Sequence, residues 1–392
     1  MTNLRSNKLL WVLAIAFVVR ALVSALLPEQ HFPDAGAYRS AAEQLRHLHL
    51  MADNAIMPLY PLLIALAGDG WGQKLADLAL SLTSVWLVYA LTLRIYRDET
   101  VALIAGLFCA VWPNFAFFVA ARLTETLFIT LLLAAFLCCY DRRYVLASVF
   151  FVLAILTRPA VDYLAPILIV LFSLAVHRES LWLAARRVAT YLIVYVALMA
   201  PWWAHNYARY GEFVRLDLAG GMVLYTGNNP LNVSGGGITG KDVNFREFAK
   251  IENPVQRDQA FKRAAVQSIK ADPWHFVAMM PVKFARLWRP WPYAGEYHSA
   301  LIVLVSVISA VPAFILALLG LALTLRSHFS RLLPCLAYLG YLTLVNVVTF
   351  GSVRYRVPLE PFVLILAAAG FVEMLRRAEA GRRLLAPLSS TH

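Results

Sequence analysis

The feature that most constrains this chain is a succession of apolar runs, several of them long enough to cross a lipid bilayer. A helix needs about 20 mostly apolar residues to span the hydrocarbon core. The run 9–27 is the first of them, with a single charged residue, Arg20, inside it. Backbone groups facing lipid must be bonded within their own segment, so such runs fold as helices. Composition agrees, since 15% of the 392 residues are charged against roughly 25% in soluble domains. The first run carries no clear small-residue cleavage site and reads as a retained helix.

Ten spanning helices can be drawn, near 8–27, 75–96, 101–119, 124–140, 144–157, 161–176, 186–204, 299–325, 332–350 and 358–376. The fold class expected is therefore an all-α polytopic membrane protein. The fifth segment is short and is expected to extend into its flanks. The stretch 57–68 is apolar but about half the length of a span. Its Pro58 and Pro61 suit the start of a short helix, so it reads as a re-entrant or interfacial helix.

The net charge of +12 would raise nucleic acid as a partner in a soluble protein. Here the basic residues lie mostly at helix ends and no nucleic-acid motif accompanies them, so topology and lipid headgroups explain them. Arg94, Arg97, Arg142, Arg143, Arg178, Arg326, Arg331 and Arg376 fall on one set of ends. That alternation puts both termini in the cytoplasm and the loops 28–56 and 205–297 outside. The domain reading follows: an N-terminal transmembrane module over 1–204, a periplasmic region over 205–297, and C-terminal helices with a cytoplasmic tail over 298–392. Within 28–56, Tyr38, Ala41, Ala42, Leu45 and Leu48 repeat at helical spacing, the mark of an amphipathic interfacial helix. The four cysteines sit in apolar runs and form no paired framework.

Ionisable groups are costly in a membrane, so their placement is informative. Asp34 follows the first helix. Arg122 and Glu125 open the fourth. Arg158 and Asp162 lie between the fifth and sixth, His205 and Asn206 follow the seventh, and Arg354 and Arg356 precede the tenth. All fall at outer ends. A sugar carried on a lipid phosphate would need just such groups. Arginine forks bind phosphate oxygens with paired hydrogen bonds, a carboxylate takes the proton of the acceptor hydroxyl, and fixed positive charge stabilises the leaving phosphate.

At these residues a family resemblance emerges. Asp34 to Tyr38 resembles the D-x-x-x-Y motif in the first outer loop of GT-C fold enzymes, the protein-mannosyltransferase-like and aminoarabinose-transferase-like glycosyltransferases. Pro58-Leu59-Tyr60-Pro61 is similar to their P-x-Y-P element, and Thr124-Glu125-Thr126-Leu127-Phe128 to T-E-x-L-F. Thr157-Arg158-Pro159 is similar to their x-R-P turn, Pro201-Trp202 with Asn206-Tyr207 to P-W-x-x-R-N-Y, Gly227-Asn228-Asn229-Pro230 to G-N-N-P, and Arg354-Tyr355-Arg356 with Pro358 to R-Y-R-x-P. His205 departs from the pattern, where arginine is usual. The resemblance implies that Asp34 is the catalytic carboxylate and that the donor is an undecaprenyl-phosphate sugar, with a lipid or glycan as acceptor. Beside Asp34, Glu125 stands as a second catalytic candidate. Arg158, Arg354 and Arg356 are the phosphate candidates, and Tyr38, Tyr60, Arg122, Asn206, Asn228, Asn229 and Tyr355 the substrate-binding ones. No β-rich acceptor domain follows the helices, which argues against a eukaryote-type protein mannosyltransferase.

Other readings remain open at this level. Asp34 could cap a helix starting near Gly36. The acids Asp34, Glu125 and Asp162 could converge on a divalent cation through oxygen ligands, whereas no His/Cys spacing supports zinc. A flippase or transporter of a lipid-linked or charged solute is the rival function, and a ligase moving a whole glycan from a diphosphate carrier is a third. Transporters tend to place ionisable groups near the midplane and to carry repeats; neither is visible here.

Overall fold

The computed structural model describes residues 2–27, 32–52, 55–236, 243–292 and 299–385, and no strand occurs among them. The chain begins with α1 (Thr2–Leu26), the short helices α2 (Pro33–Arg46) and α3 (Leu59–Ala67), and α4 (Trp71–Tyr96). The segment expected to be the third span is two helices, α5 (Glu99–Val111) and α6 (Pro113–Ala121), bent by 46°. Pro113 lacks an N–H and so leaves the Cys109 carbonyl without its helical donor. Arg20 answers that break. Fully buried in α1, it donates from Nη2 to the Cys109 carbonyl (3.2 Å) and from Nη1 to the Ala110 carbonyl (2.7 Å). Its Nε bonds Ser81 Oγ of α4 at 2.6 Å. The one charge within the first span is thus a clasp over a broken helix.

Next come α7 (Glu125–Tyr140), α8 (Tyr144–Thr157) and α9 (Leu164–Leu171), which runs on through a wider π-type turn at Phe172–Val176, and then α10 (Leu181–Tyr210). The fifth expected span does not extend into its flanks. Helix α8 stops at Thr157 because Arg158 is extended (φ −151°, ψ 127°) ahead of Pro159. The region before the last spans holds α11 (Gly220–Gly227), α12 (Arg246–Ala249), α13 (Pro254–Ala271) and α14 (Pro273–Trp288). Residues 237–242 lie outside the described residues, and the charged segment that follows is helical over Arg246–Ala249 and Pro254–Ala271. Last are α15 (Ala300–Val348), broken at His328, the single turn α16 (Val353–Arg356), and α17 (Glu360–Leu385).

Each expected span falls on helix. Among the described residues five helices, α1, α4, α10, α15 and the 353–380 stretch containing α17, are long and apolar enough to cross a membrane; the bent α5–α6 pair makes a sixth. Helices α7, α8 and α9 are apolar but shorter. The chain is a multi-pass helical membrane protein. Helix α3, with nine residues, is about 13 Å long and spans nothing, as its length predicts.

Helix α17 is the axis of the bundle: 83% of its apolar window is buried against 17% for α1 and α10. It meets α15 at Gly320 and Gly370. A Cβ at Gly320 would stand 2.0 Å from the Leu366 carbonyl oxygen, and one at Gly370 2.1 Å from that of Leu316. Small residues let the two backbones touch where packing rather than hydrophobicity joins helices. Phe136 of α7 packs against Phe151, Phe172, Tyr338 and Phe362, which fixes α7 and α8 to that axis.

Candidate active site

Four helix ends bring four charged side chains together. Asp34 lies in the first turn of α2, whose start is set by Pro33 at its first position. The helix therefore begins before Gly36, and Asp34 lies inside it, past the cap position held by Phe32. The Asp34 side chain accepts from Arg354 Nη1 on α16, Oδ2 to Nη1 2.6 Å. Arg354 also donates from Nε to Glu125 Oε1 at 2.6 Å. Glu125 opens α7 and receives a second cation on the same oxygen, Arg158 Nη1 at 2.5 Å, from the extended break after α8. One guanidinium thus bridges two carboxylates, and one carboxylate oxygen holds two guanidiniums.

Exposure is graded through the cluster. The Glu125 side chain is wholly buried, Arg158 is 16% exposed, Arg354 25% and Asp34 46%. A buried carboxylate is costly unless charge and hydrogen bonds compensate it, and here two arginines do so. Glu125 Oε2 has no partner among the described residues. Asp34 is the carboxylate a solvent-side hydroxyl can reach. Glu125 is the one that holds both arginine forks in place.

Aromatic residues close the floor. Tyr38, one turn after Asp34, meets the edge of Tyr60 at 5.4 Å between centroids. Burial pushes the Tyr38 phenol up to about 12, so it stays protonated. Tyr60 is fully buried, donates to Asp77 Oδ2 (2.8 Å) and accepts from Gln73 Nε2 (3.1 Å), both on α4. Tyr355 lies under Arg158, whose guanidinium carbon is 5.4 Å from its ring. Arg122 ends α6 in a left-handed conformation (φ 53°) and is buried.

The other sequence candidates are not in this group. Arg356, two residues after Arg354, is 1% exposed and points into the protein. It donates to Glu360 Oε1 (2.9 Å) and to the Arg289 carbonyl (2.5 Å). Glu360 also accepts from Trp112 Nε1 and Asn114 Nδ2. Asp162 does not join Asp34 and Glu125; it pairs with Arg215 (2.7 Å) and accepts from the Tyr195 hydroxyl (2.7 Å). The asparagines serve the backbone. Asn206 donates to the Val214 and Leu216 carbonyls, Asn228 to Leu224 and Val348, and Asn229 to Tyr225 and Thr226. His205 accepts the Met51 N–H at 3.0 Å and stacks on Trp202, tying the chain after α2 to α10.

Sequence reasoning missed a latch. Lys283, on the inner face of α14, is fully buried and donates to Asn228 Oδ1 at 2.7 Å. Burial pushes its amine down to about 8. One turn on, Arg286 donates to the Gly351 and Ser234 carbonyls, while the Gly351 N–H reaches the Gly235 carbonyl at 3.0 Å. Helix α14 and the 228–236 loop therefore grip the strand of chain that delivers Arg354. The readable signal was a lysine within the apolar stripe of an amphipathic helix.

The donor set does not suit a divalent cation. Arg354 stands between Asp34 and Glu125, Asp162 is engaged elsewhere, and no group of three or more His, Cys, Asp or Glu able to hold a metal occurs among the described residues.

No family profile and no curated protein matches the chain. Solved structures do. The archaeal oligosaccharyltransferase AglB from Archaeoglobus fulgidus, in complex with an inhibitory peptide and a dolichol-phosphate, superposes with TM-score 0.59 at 14% identity, covering 98% of this chain and 52% of that one. The Archaeoglobus fulgidus oligosaccharyltransferase tethered with an acceptor peptide gives TM-score 0.57 at 12% identity, covering 96% and 50%. ArnT from Cupriavidus metallidurans in the apo state reaches only 0.44, a likeness too loose to argue from. The chain spans about half the length of the archaeal structures. At such identities the likeness speaks for architecture, and the architecture of this chain is the GT-C membrane fold that its motifs resemble.

Proposed function

We propose that this protein is a membrane glycosyltransferase that moves a sugar from a polyprenyl-phosphate carrier to a lipid or glycan acceptor, at the periplasmic face of a bacterial inner membrane with both termini in the cytoplasm. The observation that carries the reading is the Asp34–Arg354–Glu125–Arg158 chain of contacts, assembled from four helix ends on a GT-C fold. Arg354 and Arg158 hold the donor phosphate, since each engages carboxylate through only part of its fork. Asp34 accepts the acceptor hydroxyl's proton as that oxygen bonds the anomeric carbon. The bond from that carbon to the phosphate oxygen breaks, and the arginines take the charge left on the phosphate. Glu125 positions the arginines, and Arg356 braces the turn that bears Arg354.

Asp34→Asn tests this directly. The amide keeps the shape and removes the base. We expect the purified variant to bind the lipid donor and to turn over on the order of 100-fold more slowly. Transfer at the wild-type rate would take Asp34 out of the mechanism. Measuring transfer in detergent also separates this reading from a flippase, which needs a sealed membrane to show activity.

A further inference from the structure

Helices α4 and α7 carry the candidate site at their first turns and end, far from it, in a second concentration of arginines. Gln73 and Leu93 mark the two ends of α4, about 30 Å apart at 1.5 Å per residue. There the ends of α4, α7 and α9 and the middle of α15 surround a cavity of about 420 Å³, lined by Arg94, Arg97, Asp141, Arg142, His177 and Arg331 among others. That volume lies in the range of small-ligand sites.

The charges around it do not balance. Arg94 is matched by Asp141, Nε to Oδ1 2.7 Å and Nη2 to Oδ2 3.1 Å. Arg97 has no carboxylate partner among the described residues, and it repels Arg331. Arg331 donates to the Ile95 carbonyl at 3.1 Å and, among the described residues, to no carboxylate. Arg142 reaches Glu179 only at 4.0 Å and donates from Nε to His177 Nδ1. His177 in turn bonds the Cys139 carbonyl through Nε2, so its ring links Arg142 to the backbone and brings no carboxylate to the cavity.

Arginines at helix C-termini commonly offset the helix dipole and touch headgroups. Arg331 does serve the end of α4 in this way, through the Ile95 carbonyl, but four other terminal carbonyls have backbone donors: Leu93 accepts the Arg97 N–H, Leu137 the Asp141 N–H, Cys138 the Arg143 N–H and Cys139 the Arg142 N–H. Arg97 and Arg142 moreover adopt left-handed backbone (φ 55° and 59°), a conformation that costs energy outside glycine. The forks thus converge on a concavity with more positive charge than its own acids offset. We propose that this cavity binds a phosphate-bearing anion, either the headgroup of an anionic phospholipid or a soluble phosphate compound. Phosphate oxygens suit several convergent guanidinium forks.

The test uses the full chain in neutral detergent and follows its melting temperature. One arm titrates inorganic phosphate against chloride at equal ionic strength. The other supplies vesicles of phosphatidylcholine with or without phosphatidylglycerol. The variants are Arg97→Asn, chosen because Arg97 is exposed and Asn tolerates its backbone, and Arg186→Asn, a basic control outside the cavity. Stabilisation by inorganic phosphate that weakens about tenfold in Arg97→Asn, the scale of one charge-assisted contact, identifies a soluble phosphate ligand. Stabilisation only by phosphatidylglycerol, weakened in the same variant, identifies a lipid headgroup. Phosphate held at the candidate active site would persist in Arg97→Asn, so that outcome overturns the proposal. So does an equal loss in Arg186→Asn, or no stabilisation in either arm.

Discussion

The two ends of α4 and α7 keep their arginines in opposite company. At the Glu125 end, two arginines meet two carboxylates, and Arg354 is shared between both. At the Tyr140 end, four arginines line a cavity with one carboxylate, Asp141. A balanced cluster can be buried, because each charge replaces the water the other has lost. It is also already ordered, so a reaction there need not reorganise its surroundings. An unbalanced cluster stays half open to solvent and favours whatever anion supplies the missing charge. Arginines gathered at opposite ends of the same two helices are therefore held by carboxylates at one end and left in excess of them at the other.

Removing an arginine should have opposite consequences at the two ends, with the larger effect at the balanced one. Arg354→Ala strips Asp34 of its ion-pair partner and leaves buried Glu125 with Arg158 alone. We expect transfer efficiency to fall by roughly 2–5 kcal/mol, the scale of breaking a buried charge pair, and Arg354→Lys to restore it only in part for want of a fork. Arg356→Ala, two residues on, should instead act on the fold. It leaves buried Glu360 without its cation, a loss of about 3–5 kcal/mol in stability, visible in the melting curve. A variant Arg356→Ala that melts like wild type and loses donor binding would move Arg356 into the site and dissolve the distinction.

That distinction shows where the sequence stops being readable. The arginines of Arg354-Tyr355-Arg356 look equivalent as a motif, yet a short helical turn aims one at Glu125 and the other at Glu360. Which way each side chain points depends on how α16 is rotated by Gly351 and Arg286, contacts between segments 65 residues apart. The charged helix ends at Asp34, Glu125, Arg158 and Arg354 were legible because polar groups in an apolar chain are costly and few. The asparagines were less legible: in a loop they look like ligand groups, and which carbonyls their amides bond depends on the fold. Arg20 could be seen as an anomaly inside a span, whereas its carbonyl partners required knowing that α5 and α6 part at Pro113.

Lys283 sharpens the comparison as a third kind of positive charge, buried and bonded to an amide and a carbonyl, with no carboxylate among its described partners. Its amine titrates near 8 when folded and near its ordinary 10.5 when unfolded. Below both values the two states are equally protonated and stability is flat in pH on this account. Between them the unfolded chain holds the proton and the folded one does not, so stability rises with pH. Denaturation followed from pH 8 to 10.5 should show that rise, and Lys283→Met should remove it. An unchanged slope would mean that the amine keeps its proton and that water reaches it.

The smallest effect belongs to the unbalanced end, and its sign is what matters. Arg97 is exposed and has no carboxylate partner among the described residues, so Arg97→Asn removes repulsion from Arg331 and breaks none of the ion pairs described. In phosphate-free, low-salt detergent the variant should melt slightly above wild type. Added salt should narrow the gap, because it screens the repulsion that the substitution removed. Sugar transfer should be unchanged, since the cavity lies at the far end of α4 from Asp34. Arg354→Ala under the same conditions should melt lower than wild type, as a broken pair requires. If Arg97→Asn also melts lower at low salt, its guanidinium is compensated from within the protein, and the contrast between the two ends of α4 fails.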